Sequence, residues 1–104
     1  MFQLPELPSA TVVPSFQVAK RLSSVNFTCI TYGDPKPQIM WSYEGGSLPS
    51  EVEFAQENQT IIIDHVMIKH EGTYTCTAVN VQGNESSSAE LKVEGKIEVN
   101  EKVT

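Results

Sequence analysis

The sequence predicts an all-β sandwich: two antiparallel sheets packed face to face. Three observations carry this. Short runs alternate apolar and polar residues with a period of two, and they recur about every 8 to 12 residues. The segments between them are rich in Gly, Pro, Asn and Ser, which favour turns by fixing φ or tolerating positive φ. Almost nothing shows a helical period, and the two cysteines, Cys29 and Cys76, both fall on the apolar side of alternating runs.

Taken in order, the N-terminal stretch "LPELPSATVVP" is proline-spaced and suits an extended linker leading into a first edge strand. Pro8 and Pro14 bracket that strand, and Pro14 marks a kink. The run "SVNFTCI" puts Val25, Phe27 and Cys29 inward, with Asn26 and Thr28 outward. After the turn "YGDPKPQ", the run "QIMWSY" puts Ile39, Trp41 and Tyr43 on one side and Gln38, Met40 and Ser42 on the other. "EGGSLPS" is a turn. Glu51, Glu53 and Glu57 then form a loose acidic run, which reads as a solvated strand edge that resists pairing rather than as a catalytic carboxylate pair. "TIIIDHV" sends Ile61 and Ile63 inward and Ile62 outward. "DHVMIKHEGT" has room for a single helical turn. "TYTCTAV" offers Tyr74, Cys76 and Ala78 to the core, leaving Thr75, Thr77 and Val79 outside. A hairpin loop over residues 80–86 precedes "SAELKV", where Ala89, Leu91 and Val93 face inward and Glu90 and Lys92 outward. Gly95 ends that strand. The expected organisation is a linker at 1–7, one domain at 8–95, and a linker or the start of a following domain at 96–104.

With 104 residues and 39% hydrophobic content, the chain is large enough for one modest core and is not compositionally disordered. Its net charge of −6 repels phosphate backbones and anionic membrane surfaces, so neither nucleic acid nor direct membrane insertion is expected. No segment approaches the roughly 18 apolar residues of a membrane span. The N-terminus has neither the basic nor the apolar part of a signal peptide, and the chain reads as a piece of something larger.

No catalytic motif emerges. There is no nucleophile elbow and no phosphate-binding glycine loop, and two cysteines without clustered histidines make no zinc site. His65 and His70 lie near Asp64 and Glu71 but read as plain surface residues on a corner rather than as ligands. The expectation is a non-enzyme with no cofactor and no metal. Three Asn-x-Ser/Thr triplets, at Asn26, Asn58 and Asn84, lean toward the secretory pathway, although polar strands also generate such triplets by chance. If Cys29 and Cys76 face one core from opposite sheets they can bridge it; a reduced buried pair is the alternative, and the triplets favour the oxidised form.

These residues resemble a known family. Cys29, then Trp41, then Tyr74-Thr75-Cys76 is similar to the immunoglobulin pattern, in which a buried Trp packs on an inter-sheet disulfide below a tyrosine corner. "CTAVNVQG" resembles the Cys-x-Ala-x-Asn-x-x-Gly signature of I-set domains, and "GDPKPQIMW" their B–C turn and strand C. The resemblance implies a Cys29–Cys76 disulfide, core markers at Trp41, Tyr74, Ala78 and Leu91, and a Tyr74 hydroxyl bonded to backbone within residues 67–70. Two departures stand out. His70 occupies the place of the family's usual Asp, and "EVEFAQE" lacks its Arg partner, so that ion pair is expected to be missing. Leu22 sits near the position of a usual glycine, which leaves the turn there undefined.

The resemblance implies an extracellular module of a membrane-anchored or secreted protein, a cell-surface receptor or adhesion molecule, that recognises a protein ligand or another domain of its kind, weak homotypic association included. The alternative is an intracellular structural domain of a giant muscle protein with reduced cysteines. Candidate contact residues are Met40, Thr77 and Val79 on one outer face, with Gly83 in the adjoining loop. That face is expected to carry no glycosylation triplet within its strands, while a glycan on Asn26 would shield Ile62 on the opposite face.

Overall fold

In the computed structural model, residues 4–95 are described; the expectation for 96–104 lies outside them. Eight strands form: β1 (Glu6–Val13), β2 (Phe16–Lys20), β3 (Val25–Asp34), β4 (Gln38–Tyr43), β5 (Glu53–Ala55), β6 (Thr60–Ile63), β7 (Gly72–Asn80) and β8 (Gly83–Glu94). A 3₁₀ turn, Ile68–His70, lies between β6 and β7, where the sequence left room for one helical turn. The first sheet has the order β1-β3-β6-β5 and the second β2-β8-β7-β4.

The period-two alternation decides which faces meet. Phe27, Cys29, Ile61, Tyr74, Cys76 and Leu91 are completely buried between the sheets, and the residues between them in sequence face out. Cys29 of β3 and Cys76 of β7 are joined by a disulfide across this core, with 6.3 Å between their Cα atoms. Closing a loop of 47 residues stabilises such a domain by about 4 kcal/mol on the chain-entropy model.

The chain changes sheet at Pro14. β1 runs antiparallel to β3 up to Val13, opposite Thr28. Pro14 has no N–H to continue that ladder, and β2 restarts parallel to β8, from Phe16 opposite Glu90 to Lys20 opposite Glu94. The first strand begins at Glu6, not after Pro8. Pro8 is a buried residue inside β1, at a register irregularity between Glu6 and Ser9 that spares it a ladder hydrogen bond.

Trp41 differs from expectation. It pairs with Cys76 and packs on the core, but it is only half-buried, because β4 is the last strand of its sheet. Its indole N–H donates to the Asn58 carbonyl at 2.8 Å, so the turn before β6 covers what a further strand would otherwise cover.

Tyr74 pins the corner before β7. Its hydroxyl donates to the His70 carbonyl at 2.7 Å in a buried site, and its ring sits between Phe27 and Tyr43 at centroid distances of 5.7 and 4.9 Å. Gly72 lets the neighbouring strands close here. Its φ is +148°, and a Cβ would lie 2.8 Å from the Tyr43 ring.

Leu22 resolves the undefined turn between β2 and β3. It adopts φ +71°, a left-handed conformation, so the glycine-like backbone persists without the glycine. The turn is fixed by the Leu22 N–H on the Val66 carbonyl (2.7 Å) and the Val66 N–H on the Ser23 carbonyl (2.9 Å). The Leu22 side chain is 60% exposed, so little burial offsets the strain. Leu22→Gly is therefore expected to raise stability by about 1 kcal/mol, read as a higher urea midpoint with an unchanged m-value.

Candidate functional site

The outer face of the second sheet follows from the same alternation. Across β4, β7 and β8 its rungs are Gln38–Val79–Asn84, Met40–Thr77–Ser86 and Ser42–Thr75–Ser88. Two rungs are closed by hydroxyl pairs: Thr77 Oγ1 to Ser86 Oγ at 2.7 Å and Thr75 Oγ1 to Ser88 Oγ at 2.8 Å. The centre of the face is thus a flat hydroxyl ladder. Met40, 63% exposed, borders it on the β4 side, and Phe16 and Val18 of β2, each about half exposed, lie beyond its end, across from Glu90 and Lys92. Its charged pair, Glu90 with Lys92 at 3.7 Å, lies toward the far end. In a chain of net charge −6, this is a nearly neutral surface, on which a second copy would meet little repulsion.

Met40, Thr77 and Val79 therefore do lie together on one face. Gly83 does not join them. It ends the hairpin opposite Asn80, and a Cβ there would point toward Leu7, 3.4 Å away. The hairpin loop is also shorter than residues 80–86. Val81 and Gln82 alone separate β7 from β8, so Asn84 and Ser86 belong to a strand.

That shift corrects the expectation of a face free of glycosylation triplets. Asn84 is exposed, points outward and is the direct cross-strand partner of Val79. The signal was present in the sequence, since Asn84, Ser86, Ser88 and Glu90 are in step with one another and out of step with Ala89, Leu91 and Val93. Phe16 and Val18 were missed because their place depends on the parallel pairing of β2 with β8, which no local pattern encodes. Asn26 is exposed on the other sheet and sits directly across from Ile62, and Asn58 is exposed in the turn before β6.

One end of the sandwich is held by Asn80. Its Nδ2 donates to the carbonyls of Glu6 (2.9 Å) and Pro35 (3.0 Å), while its Oδ1 accepts the Gln82 N–H at 2.8 Å. One amide thus joins the start of β1, the β3–β4 turn and the β7–β8 turn through three hydrogen bonds.

At the other end, where the family's Asp–Arg pair was expected to be missing, His70 and Glu51 form a different group. His70 is not the surface residue expected but is buried, because its Nδ1 turns back to accept the Met67 N–H at 2.9 Å, so the ring proton of the neutral form sits on Nε2. Glu51 Oε1 lies 3.6 Å from that Nε2, and Glu51 Oε2 binds Lys69. Lys69 above all, then a backbone amide, holds the Glu51 carboxyl down at about 2. Burial raises the Tyr74 hydroxyl well above its ordinary range, so it stays a donor to His70. Because Glu51 titrates lower when folded than when unfolded, its contribution is complete above the ordinary carboxylate value near 4.5 and is lost as the pH falls through about 2. The melting-temperature advantage of the wild type over Glu51→Gln is expected to hold at neutral pH and to close between pH 4.5 and 2.

The profile of the immunoglobulin I-set domain matches residues 8–93. Roundabout homolog 3 from Homo sapiens is 38% identical over 88 residues, 85% of this chain and 6% of that protein. Muscle M-line assembly protein unc-89 from Caenorhabditis elegans is 34% identical over 93 residues, 85% of this chain and 1% of its own length. Among solved structures, the N-terminal eight Ig domains of Down Syndrome Cell Adhesion Molecule superpose with a TM-score of 0.75 at 25% identity, covering 88% of this chain and 13% of that one. The chain thus spans only a small fraction of each of these longer proteins.

Proposed function

Because the chain belongs to the immunoglobulin I-set family, we propose that it is an extracellular, non-enzymatic recognition module of a cell-surface or secreted protein, and that it meets a protein ligand or a like domain through the outer face of its second sheet. The observation that carries this is the nearly neutral hydroxyl ladder bordered by Met40, on a chain whose net charge is −6. Likeness to a cell adhesion molecule supports the class of function. The opposite face offers less, since Ile62 is half-buried and lies under Asn26. Exposed apolar side chains at both ends, Leu7 and Val81 at one and Leu22 and Ile68 at the other, support contacts with neighbouring domains as well. The reading requires Asn84 to be bare in the binding form, since a glycan there would stand over Val79.

A second reading, a structural domain inside muscle cells, is favoured by the likeness to unc-89. It would keep the fold and lose the disulfide, because the cytosol reduces such bonds.

The test is the double variant Met40→Glu, Val79→Glu, assayed for self-association and against a panel of cell-surface ectodomains. Both side chains point away from the core, so stability is expected to change by no more than about 0.5 kcal/mol while binding weakens at least tenfold. Unchanged binding, with loss instead on Ile62→Glu, would assign contact to the first sheet.

A further inference from the structure

Each sheet ends in two edge strands: β1 and β5 in the first, β2 and β4 in the second. An unpaired edge is a template for another chain, and native proteins blunt it with proline, charge, short length or a cover. Three of these edges are blunted by their own residues. β1 contains Pro8 and a register irregularity. β5 is three residues long and starts at Glu53. β2 follows Pro14 and ends at Lys20. β4 follows Pro37 directly, but the strand itself carries none of these devices. "QIMWSY" is six residues without charge or proline, and among the described residues no strand pairs with its other edge.

What lies beside that edge is the turn at residues 56–59. A cleft of about 470 Å³ separates the turn from the start of β4. Thr31, Gln38, Gln56, Asn58 and Gln59 give it amide and hydroxyl groups, and the Lys36–Glu57 ion pair at 3.3 Å bridges its two walls beside Pro37 and Ile39. Gln56, Glu57 and Asn58 all adopt positive φ, at 56°, 56° and 71°, a run that side-chain-bearing residues rarely sustain. The turn is nonetheless fixed, by the Gln59 N–H on the Gln56 carbonyl at 3.0 Å and by the Trp41 indole on the Asn58 carbonyl. Asn58 is exposed on the rim of the cleft and heads the triplet "NQT".

The geometry points to Asn58 as the attachment site of an N-linked oligosaccharide whose inner sugars lie in this cleft and cover the β4 edge. The inference rests on the extracellular reading above. In the modification, Asn58 Nδ2 bonds to C1 of the terminal N-acetylglucosamine of a polyprenyl-pyrophosphate-linked oligosaccharide. The C1–O bond to pyrophosphate breaks, its electron pair leaves with the polyprenyl pyrophosphate, and Nδ2 gives up one proton, with no change in oxidation state. The side-chain amides of Gln38, Gln56 and Gln59 supply the paired donors and acceptors that sugar hydroxyls need. A glycan in the cleft shields the edge without offering it a strand to pair with. It also leaves the centre of the outer face open, since the cleft reaches that face only at Gln38 and does not lie over Thr75 or Thr77. Asn26 and Asn84 have a different setting, on strand faces.

The test uses protein secreted from eukaryotic cells, with glycopeptide mass spectrometry for occupancy and sedimentation velocity for self-association. Asn58 is expected to be occupied. Asn58→Gly keeps the positive φ, adds no charge and keeps the carbonyl that Trp41 uses. It should move self-association to at least tenfold lower concentration, and endoglycosidase trimming of the folded wild type should do the same. Adding Ser42→Lys on the edge strand should reverse the shift, whereas Thr75→Lys, in the middle of the outer face, should not. A bare Asn58 with Asn26 and Asn84 occupied would overturn this inference and leave the extracellular reading intact. All three bare would overturn both. A monomeric Asn58→Gly protein, or association abolished by Thr75→Lys, would show that the β4 edge is not what the glycan guards.

Discussion

The Cys29–Cys76 bond joins β3 and β7, one inner strand from each sheet, and it fixes the parity of both. With Cys29 inward, Phe27 and Val25 must also face in, and Asn26 and Thr28 out. With Cys76 inward, Tyr74 and Ala78 follow, and Thr75, Thr77 and Val79 are turned to solvent. The hydroxyl ladder is thus the reverse side of the core. A slip of one residue in either strand would bury threonines and expose a tyrosine and a cysteine, so the contact face and the core stand or fall together.

The ends of the sandwich are held by polar groups whose bonds are well matched to their places. Asn80 ties three chain segments with one amide, and Tyr74 ties the opposite corner with one hydroxyl. Both anchor to backbone carbonyls, that of His70 in a buried site. The Glu51 group beside His70 is another matter. It sits where the family carries a charge pair, and because Glu51 and Lys69 are open to solvent their pair adds pH dependence more than strength.

Much of this was legible because burial and alternation share one period. Val25 to Cys29, Tyr74 to Ala78 and Ala89 to Val93 each declare their inward side in the sequence, and the tyrosine–cysteine spacing declares the corner. What was not legible depended on partners far away in sequence. The half-exposure of Trp41 follows from β4 being an edge, which "QIMWSY" cannot show. Glycine and asparagine favour turns and so suggest a loop at Asn84, yet nine consecutive pairs between β7 and β8 override that preference and draw it into the strand. The left-handed Leu22 breaks a local rule outright, and only the bonds between its turn and Val66 explain why it persists.

The covalent link between the sheets, and with it the extracellular setting, is most directly tested by counting thiols. Protein recovered from the medium of eukaryotic cells is denatured without reductant, alkylated and weighed intact. The expected result is no adduct before reduction and two after it, on Cys29 and Cys76. Two adducts before reduction would mean that the sheets are held by packing alone, as in a domain that works inside the cell.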